Sequence, residues 1–317
     1  MKSLRIAVQM DPIETMVVAR DTSLALMIEA QNRGHEVWWF TPHDLFYDAG
    51  VVKARARRVD VCLDEQRHYV QREVTVRTAD DFDVILIRQD PPFDMGYVSN
   101  TYLLEQTKAL VINPPLGVRN ISEKMSILHF PELTPKTWVG RDVEALEDFA
   151  KHFDQVVLKV LYLMGGDGVI KLRSSDADFR ARALKFIEAA GREPILAQEF
   201  LPAVSSGDKR VFLLDGEVFG AVRRLPQGGD FRANLHAGGV AQGAEIDADD
   251  RRIAKGVATL LQRERILFAG IDVIAGKLIE INVTSPTLVQ ELKRFSGLDL
   301  PQAFWDRAEA LALRERK

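Results

Sequence analysis

The segment Gly270-Ile271-Asp272-Val273-Ile274, followed by Leu278-Ile279-Glu280-Ile281-Asn282-Val283, sets three oxygen-bearing side chains into two apolar, strand-like runs. Glu280 and Asn282 are two residues apart, so on a strand they share a face, while Ile279, Ile281 and Val283 face the core. Asp, Glu and Asn offer the oxygen donors that Mg²⁺ prefers, and Mg²⁺ in turn binds phosphate oxygens. Asn is disfavoured in strands, so its presence asks for a reason; a solvated polar strand face is the plain alternative. Geometry adds a condition. A two-residue turn at Ala275-Gly276 pairs Asp272 with Ile279 in a regular hairpin, so a shared metal site requires a bulge or an odd-length loop that brings Asp272 toward Glu280.

Cationic and glycine-rich stretches accompany these acids. Lys159 precedes the turn Met164-Gly165-Gly166-Asp167-Gly168. No Gly-Lys-Ser/Thr follows, so this is no P-loop. Gly165 and Gly166 can still bring backbone N–H groups close to phosphate oxygens, with Lys159 adding charge; an ordinary hairpin reads the same way. Gly207-Asp208-Lys209-Arg210 and Arg223-Arg224 lie on two arms around Asp215-Gly216, a type I′ turn pair. Arg210 and Arg224 could clamp a transferring phosphoryl group, or stand on a solvated face. The backbone of Gln198-Glu199-Phe200-Leu201 could read an adenine edge. Ser122-Glu123-Lys124 reads as a helix start with Ser122 as N-cap, where Lys124 would help bind an anion. The Gly-rich stretch Pro226 to Gly239 has the length of a lid or binding loop, with Arg232 and Asn234 as its polar fingers.

These residues need a scaffold, and the pattern supplies one. Leu4 to Met10, a helix over Ser23 to Arg33 stopped by Gly34, and His35 to Phe40 form a β-α-β unit, which predicts a Rossmann-like parallel sheet. Asp83 to Arg88 and Leu110 to Asn113 add strands, with a helix over Asn100 to Lys108. The first strand is followed by Gln9-Met10-Asp11-Pro12 and not by G-x-G-x-x-G, so no dinucleotide is implied. A boundary falls near residue 120. Strands at 155–161, 168–172 and 195–200, with helices at 143–153 and 179–190, make a small α+β lobe. The last lobe opens on the 209–224 hairpin and continues with a helix around Ile253 to Leu261 and strands at 271–274 and 277–283. The predicted units are 1–120, 121–200 and 201–317.

Composition narrows the function classes. Lys+Arg is 42 against Asp+Glu 46, a net charge of −4, which offers no basic footprint for nucleic acid. The single cysteine, Cys62, forbids an intrachain disulfide and fits a reducing cytoplasm; between Val61 and Leu63 it reads as a small apolar filler. Neither a signal-peptide core nor a membrane span is visible. The six histidines lack metal-ligand spacing, no G-x-S-x-G nucleophile elbow occurs, and the Trp38-Trp39 pair reads as core.

Together the pieces resemble the ATP-grasp family and, within it, the bacterial glutathione synthetases. The similarity spans nearly the whole chain. Its most specific strings are Asp90-Pro91-Pro92-Phe93-Asp94 and Glu280-Ile281-Asn282-Val283-Thr284-Ser285-Pro286-Thr287, supported by Met10-Asp11-Pro12, Arg88-Gln89, Val118 to Lys124, Gly207 to Arg210 and Pro226 to Gly229. The resemblance implies a three-domain cytoplasmic ligase, commonly a homo-oligomer, that joins γ-glutamylcysteine to glycine through an acyl phosphate and releases ADP and phosphate. By matching position, Lys124 and Lys159 contact ATP phosphates, Glu199, Phe200 and Leu201 lie against the adenine, and Asp208 lies near the nucleoside. Asp272, Glu280 and Asn282 hold two Mg²⁺ ions, and Arg210 and Arg224 stabilise the transferred phosphoryl group. Asp11, Arg88, Ser285 and Thr287 fall to the substrate side. The family pattern Lys-Pro-Leu-x-Gly departs here to Lys159-Val160-Leu161-Tyr162-Leu163. A side chain at Leu163 narrows the approach of backbone to phosphate. Two other readings stay open: a ligase for a different amino acid or peptide, and a nucleotide-binding regulator without turnover.

Overall fold

Leu4, Ile6 and Val8 on one face of the first strand, and Ala7 on the other, are all buried, so this strand is covered on both sides. In the computed structural model, which describes residues 3–163, 168–229, 231–233 and 238–315, it is β1 (Arg5–Gln9). After it come α1 (Thr22–Asn32), β2 (Glu36–Phe40), β3 (Leu45–Asp48), β4 (Val51–Val61) and β5 (Tyr69–Thr78). Then follow β6 (Val84–Ile87), α2 (Met95–Leu104), β7 (Leu110–Ile112) and α3 (Pro115–Asn120). The sheet order is β3-β4-β2-β1-β6-β7, with β5 paired to β4.

The expected parallel sheet is its centre, where β2, β1, β6 and β7 run parallel. The long β4–β5 hairpin and β3 add an antiparallel wing, so the sheet is mixed. Helix α1 is capped by the Asp21 side chain, which accepts from the N–H of Leu24, and it ends before Gly34 at φ 82°. Trp38 and Trp39 are core, as their pairing suggested. Cys62 is not a core filler. It lies just past the end of β4, exposed, with its Sγ–H donating to the carbonyl of Arg67.

The second unit is a four-stranded antiparallel sheet of order β10-β9-β11-β8, from β8 (Thr137–Gly140), β9 (Gln155–Val160), β10 (Val169–Arg173) and β11 (Ile195–Glu199). Helices α4 (Val143–Ala150) and α5 (Phe179–Ala189) cover it through Leu146, Ala150, Phe179, Ala183 and Ile187. The third sheet has the order β14-β13-β12-β15-β16. Its strands are β12 (Asp208–Leu214), β13 (Glu217–Leu225), β14 (Val240–Ala244), β15 (Phe268–Ile274) and β16 (Lys277–Asn282). Its helices are α6 (Ala248–Arg263), α7 (Val289–Ser296) and α8 (Leu300–Glu315).

Polar clasps join these units where apolar packing alone would leave buried backbone unpaired. Asn113 donates to the carbonyls of Phe268 and Val283, both at 2.7 Å, and accepts from the N–H groups of Leu267 and Phe268. Trp305 of α8 donates to the Leu26 carbonyl of α1, and buried His35 meets Glu309 at 2.8 Å. Residues 121–133 pack into the core of the third sheet. The N–H of Ile281 donates to the Glu123 carbonyl (3.0 Å) and that of Leu278 to the Leu133 carbonyl (2.8 Å). This fastens Glu123 and Lys124 beside β16. Among the described residues, no helix is long and apolar enough to cross a membrane.

Candidate active site

The acidic row is made by strand register. Ala275 and Gly276, at φ 47° and 72°, form a two-residue turn, and the pairing of β15 with β16 shifts between Asp272 and Val273. Val273 faces Leu278, but Asp272 faces Glu280. The bulge that a shared site requires is therefore present. It also corrects one expectation: Ile279, the extra residue, lines the cleft, while Leu278, Ile281 and Val283 join the core. Asn282 lies opposite Gly270 and one pleat further along the face of Glu280.

Register also brings the arginines in. Arg210 on β12 pairs with Asp272 on β15, and Asp208 with Arg224 on β13. Arg210 Nε donates to Asp272 Oδ1 (2.5 Å) and its Nη2 to Oδ2 (3.1 Å), while Arg224 Nη2 reaches the same Oδ2 at 2.9 Å. Arg224 also grips Asp208 through two 2.7 Å bonds. Gly270 gives Arg210 its path. A Cβ there would stand 2.8 Å from Arg210 Cδ, so a side chain at 270 would push the guanidinium off Asp272. Burial alone would raise the Asp272 pKa, but Arg210 and Arg224 outweigh it and hold the carboxyl well below its usual range.

Two lysines close the other side of the row. Lys124 Nζ lies 3.8 Å from Glu280 and from Glu123, and donates to the Leu163 carbonyl at 2.8 Å. Lys159, on β9, lies 4.0 Å from Glu280. Burial depresses the Lys159 pKa despite that carboxylate. For Lys124 the same desolvation is overcome by Glu280 and Glu123, which raise it. Glu123 was missed as a site residue because Ser122-Glu123-Lys124 looks like a helix start; it lies just ahead of a short 3₁₀ turn at Ser126–His129. Burial, and then the charge of Glu280, push its carboxyl up to about 8. Among the described residues, no three acidic, histidine or cysteine side chains form a metal cluster.

A cleft of about 360 Å³ runs along this row between the sheets. It is lined by Lys159, Glu199, Phe200, Leu201, Asp208, Arg210, Arg224, Arg232, Asp272, Glu280 and Asn282. Asp11, Arg88, Ser285 and Thr287 line it from the first sheet and the segment after β16. Lys124 stands behind this wall, reaching the row through Glu280. The N–H groups of Glu199 and Phe200 are spent on the carbonyls of Lys136 and Gln155. Neither N–H is therefore free to meet an adenine edge. Phe231 meets Phe200 edge-on at 6.1 Å, and Lys171 Nζ lies 4.3 Å from the Phe200 ring centre, two contacts that no sequence motif announced. Gly165, Gly166 and Asn234 lie outside the described residues. Leu163 has no positive φ, so leucine costs no backbone strain there, and its side chain packs beside Gly168 together with Val160.

The three sheets and their cleft define the class. Over 98% of this chain and 99% of the other, the fold matches D-cycloserine synthetase DcsG with a TM-score of 0.70 at 15% identity. It matches the ATP-grasp ligase PsnB complexed with minimal precursor at 0.64 and 16% identity, with the same coverage. The fold is that of an ATP-grasp ligase.

Within that class, residues 4–119 match the prokaryotic glutathione synthetase N-terminal domain, and residues 123–297 the prokaryotic glutathione synthetase ATP-grasp domain. Glutathione synthetase of Brucella melitensis is 42% identical over 310 residues, covering 97% of this chain and 99% of that one. The enzyme of Mesorhizobium japonicum is 41% identical over 308 residues, 96% and 98% of the two chains. The chain belongs to the prokaryotic glutathione synthetase family, and it is an ATP-dependent ligase.

Proposed function

We propose that this chain joins γ-glutamylcysteine to glycine at the expense of ATP, and that it does so in the cytoplasm as a homo-oligomer. In this reading the chain works as three units, 1–120, 121–200 and 201–317, with ATP held between the second and third. The observation that supports it best is the row of facing charges on β13, β12, β15 and β16, which meets Lys124 and Lys159 at one end of the cleft.

Each residue then has a task. Lys124 and Lys159 hold ATP phosphates, as does the Gly165-Gly166 turn. Glu199, Phe200 and Leu201 line the adenine pocket, and Asp208 orients the nucleoside side while keeping Arg224 in place. Arg210 and Arg224 neutralise the equatorial oxygens of the phosphoryl group as the cysteinyl carboxylate attacks the γ-phosphorus. ADP leaves, and the glycine amine then attacks the acyl phosphate and expels phosphate. Asp11, Arg88, Ser285 and Thr287 hold the peptide side. Arg232 and Asn234, on the 226–239 loop, exclude water that would hydrolyse the acyl phosphate.

The donor set fits a hard dication. Asp272, Glu280 and Asn282 bring carboxylate and amide oxygens to one face, and Glu123 adds a carboxyl whose charge is suppressed by burial and by Glu280. Asp272 keeps one lone pair, on Oδ1, beyond the three its arginines use. Asp272, Glu280 and Asn282 would hold Mg²⁺, which when bound supplies charge neutralisation to the phosphate oxygens.

The test is ADP release from purified protein across a panel of acids and amines. Turnover should require both γ-glutamylcysteine and glycine. Equal or better turnover with another pair would reassign the substrates. Tight ATP binding without turnover for any pair would favour a regulator.

A further inference from the structure

The antiparallel wing of the first sheet ends in an open edge. Strand β5 pairs only with β4 among the described residues, so its outer row of N–H and C=O groups has no strand beside it. Proteins blunt such edges with proline, with lysine or by keeping the strand very short. β5 has ten residues and contains neither proline nor lysine. Its pairing with β4 shifts at Arg72, which leaves Glu73 to Thr78 as an unbroken stretch about 20 Å long. Register fixes what each face shows. Glu73, Thr75 and Arg77 lie opposite Arg58, Ala56 and Ala54, on the face that Ala54 and Ala56 bury. Val74 and Val76 lie opposite Arg57 and Arg55 on the other face, and both valines are exposed, at 47% and 43%. The Arg77 guanidinium lies over the Trp38 ring at 4.3 Å and 3.7 Å from Glu73, and its buried Nε has no hydrogen-bond partner.

We infer that β5 carries a two-fold interface between two copies of this chain, joined edge to edge as an antiparallel pair centred on Thr75. The inference rests on the homo-oligomer proposed above and names its interface. A two-fold axis normal to a sheet keeps its faces together, so each residue meets one of the same face in the other copy. Few registers are then open. With the axis at Thr75, Val74 meets the partner's Val76 and Glu73 meets the partner's Arg77, and symmetry repeats both pairs. An axis at Glu73 sets two carboxylates opposite each other. An axis at Val74 or Val76 leaves Glu73 and Arg77 facing neutral residues. Apolar pairs and opposite charges directly across a ladder stabilise it, and like charges oppose it. The Thr75 register therefore satisfies both faces at once, and it brings a carboxylate across from a guanidinium whose Nε lacks an acceptor. Self-complementarity of this kind is what a second copy requires, and an unrelated strand would not need it. No residue of β5 lines the cleft, so the pairing leaves the ligase site untouched.

The test uses the full chain carrying Cys62→Ser, so that an introduced thiol is the only one. Thr75→Cys puts two sulfurs at the axis, on directly opposed residues whose Cα atoms lie about 5 Å apart, within disulfide reach. Val74→Cys is the control, because the two copies of residue 74 are diagonal neighbours about 8 Å apart, beyond that reach. With copper–phenanthroline as oxidant, Thr75→Cys should give a crosslinked dimer on a non-reducing gel and Val74→Cys should stay uncrosslinked. By light scattering the unaltered protein should have the mass of a dimer or a multiple of it. Val74→Lys with Val76→Lys sets lysines opposite each other at exposed positions. It should raise the dimer dissociation constant about tenfold or more, with an unchanged circular dichroism spectrum. An oligomer that the two lysines leave unaltered, or that crosslinks through Val74→Cys as readily as through Thr75→Cys, would overturn the β5 interface alone. A monomer whose Thr75→Cys variant crosslinks in cell extract only to other polypeptides would give the edge another occupant and overturn the second copy. A monomer with an inert edge would overturn the homo-oligomer reading and this interface together.

Discussion

Glu280 has the most demanding position of any residue in the cleft. It lies opposite Asp272, within 4.0 Å of two lysines, and Glu123 donates a side-chain hydrogen bond to it. Burial opposes its charge, yet Lys124 and Lys159 lower its pKa, so it is ionised at neutral pH. Glu280→Gln keeps the shape and removes that charge. We expect kcat to fall at least about 100-fold with the fold retained, read by ADP release and circular dichroism; near wild-type activity would end the metal assignment. Glu123 makes a pH prediction. Its carboxyl is raised in the folded state to about 8 from an ordinary 4.5. A raised group contributes stability below its unfolded pKa and loses it as pH climbs through the folded one. Metal-free protein should therefore lose stability between about pH 4.5 and 8 relative to Glu123→Gln. Since one pKa unit is worth about 1.4 kcal/mol, denaturant unfolding at both pH values will resolve the effect. Parallel curves for the two proteins would contradict it. At Leu163 the sequence suggested that glycine was missing, but Leu163 has no positive φ, so that position itself has no conformational need for glycine.

At the scale of elements, the β12–β13 hairpin sets the register of both arginines. Asp215 and Gly216 adopt φ 56° and 78°, as the type I′ turn demands, so this hairpin was legible in the sequence. Its open end is controlled by Gly207 at φ 95°, where a Cβ would meet the Arg224 carbonyl at 2.7 Å. Gly207→Ala should cost about 1–3 kcal/mol and lower activity together, because Asp208 and Arg224 pair immediately beside it. A variant with unaltered melting temperature and turnover would show that the register is fixed elsewhere. The β4–β5 wing was missed for a physical reason. The buried face of β4 is built partly from Ala54 and Ala56 among Lys53, Arg55, Arg57 and Arg58, so its period-2 pattern lacks strong apolar contrast. Strand β5 has no buried position and little contrast at all.

At the scale of the molecule, separate sheets must be held so that one cleft keeps its walls. Asn113 does much of this, satisfying four backbone groups at the ends of β15 and β16. Asn113→Ala leaves those groups buried and unpaired, and should destabilise by about 3 kcal/mol or more in thermal or denaturant unfolding. A loss below about 1 kcal/mol would mean that the apolar contacts between the sheets suffice. Helix α8 ties the chain's last described residues back to α1 through Trp305, and to His35 just ahead of β2 through Glu309.

The sequence by itself determined the local elements and the chemistry each could carry. Turn residues, apolar periodicity and side-chain type act over a few positions, which is why the Asp215-Gly216 hairpin, the shared face of Glu280 and Asn282, and the need for a bulge or an odd-length loop before Glu280 were all readable. Tertiary structure decided what depends on groups far apart in the chain. It turned Ile279 into the cleft, laid Arg210 across Gly270 onto Asp272, and placed Glu123 against Glu280 so that burial and like charge suppress its ionisation. It also closed Arg88 into a wall with Asp11, Asp21 and Asp90. Desolvation and through-space charge belong to the folded arrangement, and no run of residues in sequence encodes them locally.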